Sequence, residues 1–164
     1  MPELLRALLA LDYDYDDGEG MDFEPFDGFL PANETRDWFQ AWTGNQDVDG
    51  SEFLVFGQDG TGGYAALWNM REGALLLEQP IVFLGSEGQM GVVANGFNDY
   101  LWLLAGGLGP CEAIQYPSDK PENAQFLAFA LAHAPEARKT SLEVLAKAQA
   151  AFPDFEERIQ ALCR

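Results

Sequence analysis

Residues 51–94 constrain this chain more than any other stretch, because they hold a consecutive set of short apolar runs separated by turn residues. Residues 53–56 (Phe-Leu-Val-Phe) run into Gly57-Gln58-Asp59-Gly60-Thr61-Gly62-Gly63, and a second run follows at 64–70. Two such runs around a glycine-rich connection read as neighbouring strands. Residues 74–77 and 81–84 continue the sheet. Pro80 stands at a strand start, where its missing N–H removes no central ladder bond. Residues 85–88 turn the chain into a further strand near 91–94. A consecutive run of strands set between helical stretches points to a mostly antiparallel sheet.

Helical patterns flank this block. Residues 2–11 read as a short amphipathic helix, followed by an irregular acidic stretch, 12–28, punctuated by Gly18, Gly20 and Pro25. Leu30-Pro31-Ala32-Asn33 opens a second helix, with Glu34 and Asp37 at the positive end of its dipole. Trp38, Phe39 and Trp42 line one face, and Gly44-Asn45 ends it. Asn95 is placed to cap a helix through Phe97, Tyr100, Leu101 and Leu104, closed by Gly106-Gly107. After Gly109-Pro110 the chain turns rich in Ala, Leu, Glu, Lys and Gln, which predicts two or three helices broken at Pro135 and Pro153. The expected class is α+β: a mostly antiparallel mixed sheet of about five to six strands flanked by helices. Residues 1–109 form the main domain (core 28–107, acidic insertion 12–28), and 110–164 form a helical extension packed on it.

Charge narrows the function. The chain carries a formal net charge of −18 over 164 residues. All of it lies before Lys120: 21 acidic residues against Arg6, Arg36 and Arg71, whereas 120–164 holds six of each sign. With 48% hydrophobic residues the chain can bury a core, so this charge does not imply disorder. A field of this sign repels phosphate backbones and anionic lipid, and it attracts basic proteins. Nucleic acid and membrane surfaces are therefore not expected partners. The plainer reading is that acidity serves solubility.

Cys111 and Cys163 show neither metal-type nor redox-type spacing and fit a reducing compartment. The apolar run 4–11 lacks the flanks and cleavage site of a signal peptide, and no window reaches the about 20 apolar residues of a membrane span. A cytoplasmic location is expected.

No motif builds an active site. Asp12, Asp14 and Asp16 alternate like calcium ligands, but Asp17 stands where that loop needs glycine and Phe23 where it needs a bidentate glutamate. The set Asn45, Asp47, Asp49 and Gly50 fails similarly at Phe56. The loop 57–63 has no Lys or Arg and lies between strands, unlike a phosphate cradle. His133 is the only histidine, and nothing nearby in sequence would orient it as an acid or base. Gly85-Ser86-Glu87-Gly88 lacks the first glycine of a nucleophile elbow. Trp38, Trp42, Trp68 and Trp102 read mainly as core, with a binding face as the other option.

An ordered series of features resembles the SUKH (Smi/Knr-like) superfamily: Leu30-Pro31 before the Trp38–Phe39–Trp42 helix; a strand into Phe56-Gly57-Gln58-Asp59-Gly60 with Gly62 and Gly63; Pro80-Ile81-Val82-Phe83-Leu84 with Glu87-Gly88; and Asn95-Gly96-Phe97-Asn98-Asp99-Tyr100-Leu101. The resemblance covers about 28–107; the insertion 12–28 and the tail after Gly109 lie outside it. It implies a mixed α+β fold and a non-catalytic binding module, in bacterial members commonly an immunity protein that neutralises a toxin such as a nuclease. On this reading no catalytic residue, metal or cofactor is expected. The partner is a basic protein, met by loop carboxylates at Asp12, Asp14, Asp16, Asp17 and Asp59, with the chain a monomer or weak dimer. The alternative is a scaffold or regulatory domain that uses an apolar groove. A small-molecule or metal-dependent enzyme would require carboxylates and His133 to converge in a deep pocket.

Overall fold

The apolar runs pair, in chain order, into one five-stranded sheet: β1 (Glu24–Pro25), β2 (Phe53–Gln58), β3 (Tyr64–Trp68), β4 (Ile81–Leu84) and β5 (Met90–Ala94). Every neighbouring pair is antiparallel. The computed structural model describes residues 1–164, and its seven α-helices flank this sheet in an α+β fold.

Most residues on β3, β4 and β5 are buried, because helices cover both faces of the sheet. Alternation then sorts each strand between two cores. Phe56, Ala65, Leu67, Ile81, Phe83 and Val93 point into the larger core. It is completed by α1 (Glu3–Leu9), α3 (Phe97–Ala105), α4 (Pro110–Gln115) and α5 (Ala124–His133). Phe53, Val55, Ala66, Trp68, Val82, Leu84 and Val92 point the other way, toward α2 (Ala32–Thr43) and α7 (Phe155–Gln160). α6 (Ser141–Ala151) packs on edge strand β5 and on α3, giving Val144 and Leu145 to one core and Ala148 to the other. An edge strand against a helix is shielded from pairing with another chain.

Two expectations give way here. Residues 74–77 are not a strand. Leu76–Glu78 form a 3₁₀ turn, and Gln79, fully buried, accepts from the backbone N–H of Met70 and Arg71 and donates to the Arg71 carbonyl. That side chain closes 70–79 into a loop, and the place beside β3 is taken by β4, with Tyr64 opposite Leu84 and Leu67 opposite Ile81. Asn95 does not cap α3. The cap position is Gly96, and Asn95 instead receives the Arg71 guanidinium on both its carbonyl and its side-chain oxygen. Conversely, the acidic stretch contributes an edge strand, β1, whose Pro25 sits where no ladder N–H is needed.

The tail folds against the rest of the molecule. Two of its helices start at side-chain caps, Asn123 for α5 and a Thr140–Glu143 capping box for α6, and Pro135 and Pro153 stand in the breaks between α5, α6 and α7. Trp102 donates its indole N–H to the Ala134 carbonyl at 2.8 Å, and Ser141 donates to the Leu103 carbonyl at 3.0 Å. Lys139 and Lys147 meet the buried Asp99 at 2.8 and 3.2 Å. Arg138 lies over the Trp102 ring and Arg158 over Trp68, 5.3 and 5.2 Å from the centroids. Each such cation–π contact contributes on the order of 1 kcal/mol. Four of the tail's six cations are therefore engaged with Asp99 or with a tryptophan ring.

Candidate partner-binding surface

The acidic insertion is an anchored loop. Tyr13 sits between the rings of Phe23 and Phe126, at centroid distances of 4.9 and 5.0 Å, and donates its hydroxyl to the Leu8 carbonyl. Burial pushes its phenol well above the usual range. Asp12 exchanges backbone hydrogen bonds with the Gln125 side chain. Further along, Met21 N–H returns to the Asp14 carbonyl at 2.8 Å, and the Asp14 carboxylate accepts from Asp16 N–H at 2.9 Å. This pinch places Asp16 and Asp17 in the left-handed region, at φ 46° and 51°. Aspartate tolerates that region better than most residues, because its short side chain bonds locally. The result is an outward display: Asp12, Asp14, Asp16 and Asp17 are all exposed. Beside them lies a cleft of about 320 Å³ lined by Asp14, Asp16, Glu19, Lys120 and Glu122.

Asp59 is placed differently. It is 3% exposed and faces inward at the β2–β3 turn. Its Oδ1 accepts from Thr61 N–H (3.0 Å), Thr61 Oγ1 (2.9 Å) and Gly63 N–H (2.8 Å), while its Oδ2 has no hydrogen-bond partner. The structure therefore does not bring Asp59 to the surface that displays the other four. It brings it to Asp22 and Cys111, whose oxygen and sulfur atoms lie with it within 4.8 Å of one another. Asp22 is half-buried and accepts from Gly60 N–H at 2.8 Å through Oδ1. Glu112, also buried, takes the Asp22 N–H on Oε2 at 3.1 Å, and its Oε1 is unpartnered.

A glycine makes this meeting possible. A Cβ on Gly57 would lie 2.2 Å from Cζ of Phe23, so the ring seats directly on the strand and draws Asp22 to the turn. The electrostatics follow from burial. Desolvation raises the Glu112 carboxyl above its ordinary range. It holds the Cys111 thiol well above its own, reinforced by the charges of Glu112 and Asp59. Tyr100, fully buried with its hydroxyl unpartnered, is raised in the same way.

The remaining sequence candidates disperse. His133 is exposed, its ring 4.4 Å from that of Phe129. It does not line the cleft of about 570 Å³ around Asn95, Asp99, Glu136, Lys139 and Lys147. Asn45 and Asp49 use side-chain oxygens to cap Asp47 and Ser51 N–H in local turns. Trp68 and Trp102 are buried; Trp38 and Trp42 are half-buried and stack at 5.5 Å, with Trp42 donating to the Gly85 carbonyl. No helix is long and apolar enough to cross a membrane. Sequence reasoning missed Asp22, Cys111 and Glu112, because no spacing rule connects positions so far apart in the chain. No protein-family model, no curated protein and no solved structure matches the chain.

Proposed function

We propose that the protein is a non-catalytic, SUKH-type binding module of the immunity class, which neutralises a basic toxin such as a nuclease through its acidic loop. The observation that carries this reading is the display of Asp12, Asp14, Asp16 and Asp17 on a loop tied to α1 through the Tyr13 hydroxyl and to α5 through the Asp12 backbone. The charge balance supports it. The net −18 belongs to residues 1–119, and Lys139, Lys147, Arg138 and Arg158 are engaged with Asp99 and with tryptophan rings. A pre-positioned field of one sign accelerates encounter with a surface of the opposite sign. It also matches the ligand of a nuclease, whose own site must be basic to hold phosphates.

The test is association kinetics with the basic partner captured from the source cells. The on-rate is expected to fall steeply with added salt. Replacing all four aspartates by asparagine is expected to slow it by about tenfold or more at low salt. An unchanged on-rate and affinity would overturn the electrostatic reading and move the interface to the half-buried Trp38–Trp42 face.

A further inference from the structure

We propose that Asp22, Asp59 and Cys111 form a binding site for a divalent cation of the zinc class. Three features carry this. First, the donor atoms of the three residues already lie within 4.8 Å of one another, although they come from the acidic loop, the β2–β3 turn and α4. Tetrahedral zinc holds oxygen and sulfur ligands at about 2.0–2.3 Å, so neighbouring donors stand roughly 3.5 Å apart. Side-chain shifts of about 1 Å close that gap.

Second, the charge is uncompensated. Buried carboxylates are ordinarily paired with a cation or bound to a metal. Asp22, Asp59 and Glu112 take part in none of the ion pairs of this protein. Lys120, whose charge lowers the Glu112 carboxyl less than burial raises it, donates its ammonium to the Glu19 carbonyl at 3.0 Å. Third, Asp59 uses Oδ1 for three N–H and O–H donors and leaves Oδ2 buried with none, so that only the weak donor of the Cys111 thiol approaches this carboxylate within the cluster. Glu112 likewise leaves Oε1 buried and unpartnered next door. Unsatisfied buried acceptors are costly unless something else approaches them.

The donor set selects the ion. Calcium wants six to eight oxygens, which this cluster does not supply, and magnesium has little affinity for sulfur. One thiolate with two carboxylates suits zinc or cobalt, with the fourth position open to water on the half-buried Asp22 side. Binding would form the sulfur–metal bond as the Cys111 proton leaves to solvent. The ion would then clip three chain segments together beneath the acidic loop. This site stands independently of the partner reading.

The full chain, reduced and stripped of metal, is titrated with Co²⁺. The expected result is one equivalent bound, with tetrahedral visible bands and a sulfur-to-cobalt charge-transfer band that Zn²⁺ abolishes and Mg²⁺ or Ca²⁺ does not. Cys111→Ser is expected to remove the charge-transfer band, and Cys163→Ser, at an exposed thiol, to leave it intact. Asp22→Asn keeps an acceptor for Gly60 N–H yet loses a charged ligand, so it is expected to weaken binding about tenfold or more, at least as much as an outer-shell change. It decides the question if Cys111→Ser fails to fold. Absence of the band from the native chain, its survival in Cys111→Ser, or undiminished affinity in Asp22→Asn would each overturn the proposal.

Discussion

Asp14 and Asp59 make the same local gesture: each turns a carboxylate oxygen onto backbone N–H groups two residues ahead. Around Asp14 the other oxygen faces water, and the loop shows its charge outward. Around Asp59 the chain closes over the turn, adds a third donor at Gly63 and packs Cys111 and Asp22 against what is left. Identical chemistry thus becomes an exposed acidic display in one place and a buried knot in the other. What differs is the dielectric around the second oxygen, which decides whether a charge is cheap to display or costly to keep.

Truncating each carboxylate separates the two turns most directly. Asp59→Ala removes one acceptor from three donors, one of them the buried Gly63 N–H, and is expected to cost about 3 kcal/mol in denaturant unfolding. Asp14→Ala, with a single exposed bond to lose, is expected to cost less than about 1 kcal/mol. Equal losses would show that burial does not separate the two turns. Gly57→Ala comes next. Displacing the Phe23 ring overpacks the β1–β2 contact, at an expected cost of about 1–3 kcal/mol with the four exposed aspartates unchanged.

A pH profile sharpens the buried side. The folded-state carboxyl of Glu112 is raised by burial above its unfolded value, so the folded state binds the proton more tightly. Stability from this group is therefore fully present below the ordinary carboxylate range and is lost as pH rises through the raised value. The slope cannot exceed one proton, about 1.4 kcal/mol per pH unit. In the presence of a chelator, Glu112→Gln is expected to flatten that limb of the unfolding profile, and a limb unchanged by the substitution would remove Glu112 from the explanation. The smallest stability effect belongs to the exposed set. Asp12, Asp14, Asp16 and Asp17 changed together to asparagine are expected to leave thermal unfolding within about 0.5 kcal/mol of native, since asparagine keeps the local acceptors. A large loss there would mean that these carboxylates serve the fold rather than a partner.

Much of the fold was legible because its signals are local. The runs read at 53–56, 64–70, 81–84 and 91–94 needed only their apolar content and the glycines between them, and α2 needed only Pro31, its tryptophans and Gly44. The failures are equally physical. Residues 74–77 are apolar enough for a strand, but the buried amide of Gln79 binds the backbone across the loop, and a side chain five residues removed from the start of that run is invisible to a pattern of period two. Asn95 is a good capping residue, yet Arg71 competes for its oxygen. Of the candidate site, Asp12, Asp14, Asp16 and Asp17 could be read as an exposed acidic loop because a dense polar stretch with glycines has nowhere to go but the surface. Asp59 carried the same signal and ended up buried.

By itself the sequence determined an α+β chain with an antiparallel sheet and a one-sided distribution of charge, because strand runs, turn glycines and net charge are sums over neighbours. Which acids lie exposed and which face one another follows from packing between distant segments. Asp22, Asp59 and Cys111 lie on separate segments, and their meeting depends on a phenylalanine ring seated on Gly57 and on the packing of α4 behind the sheet. Burial is a property of that packing, and burial is what turns an ordinary aspartate into a site.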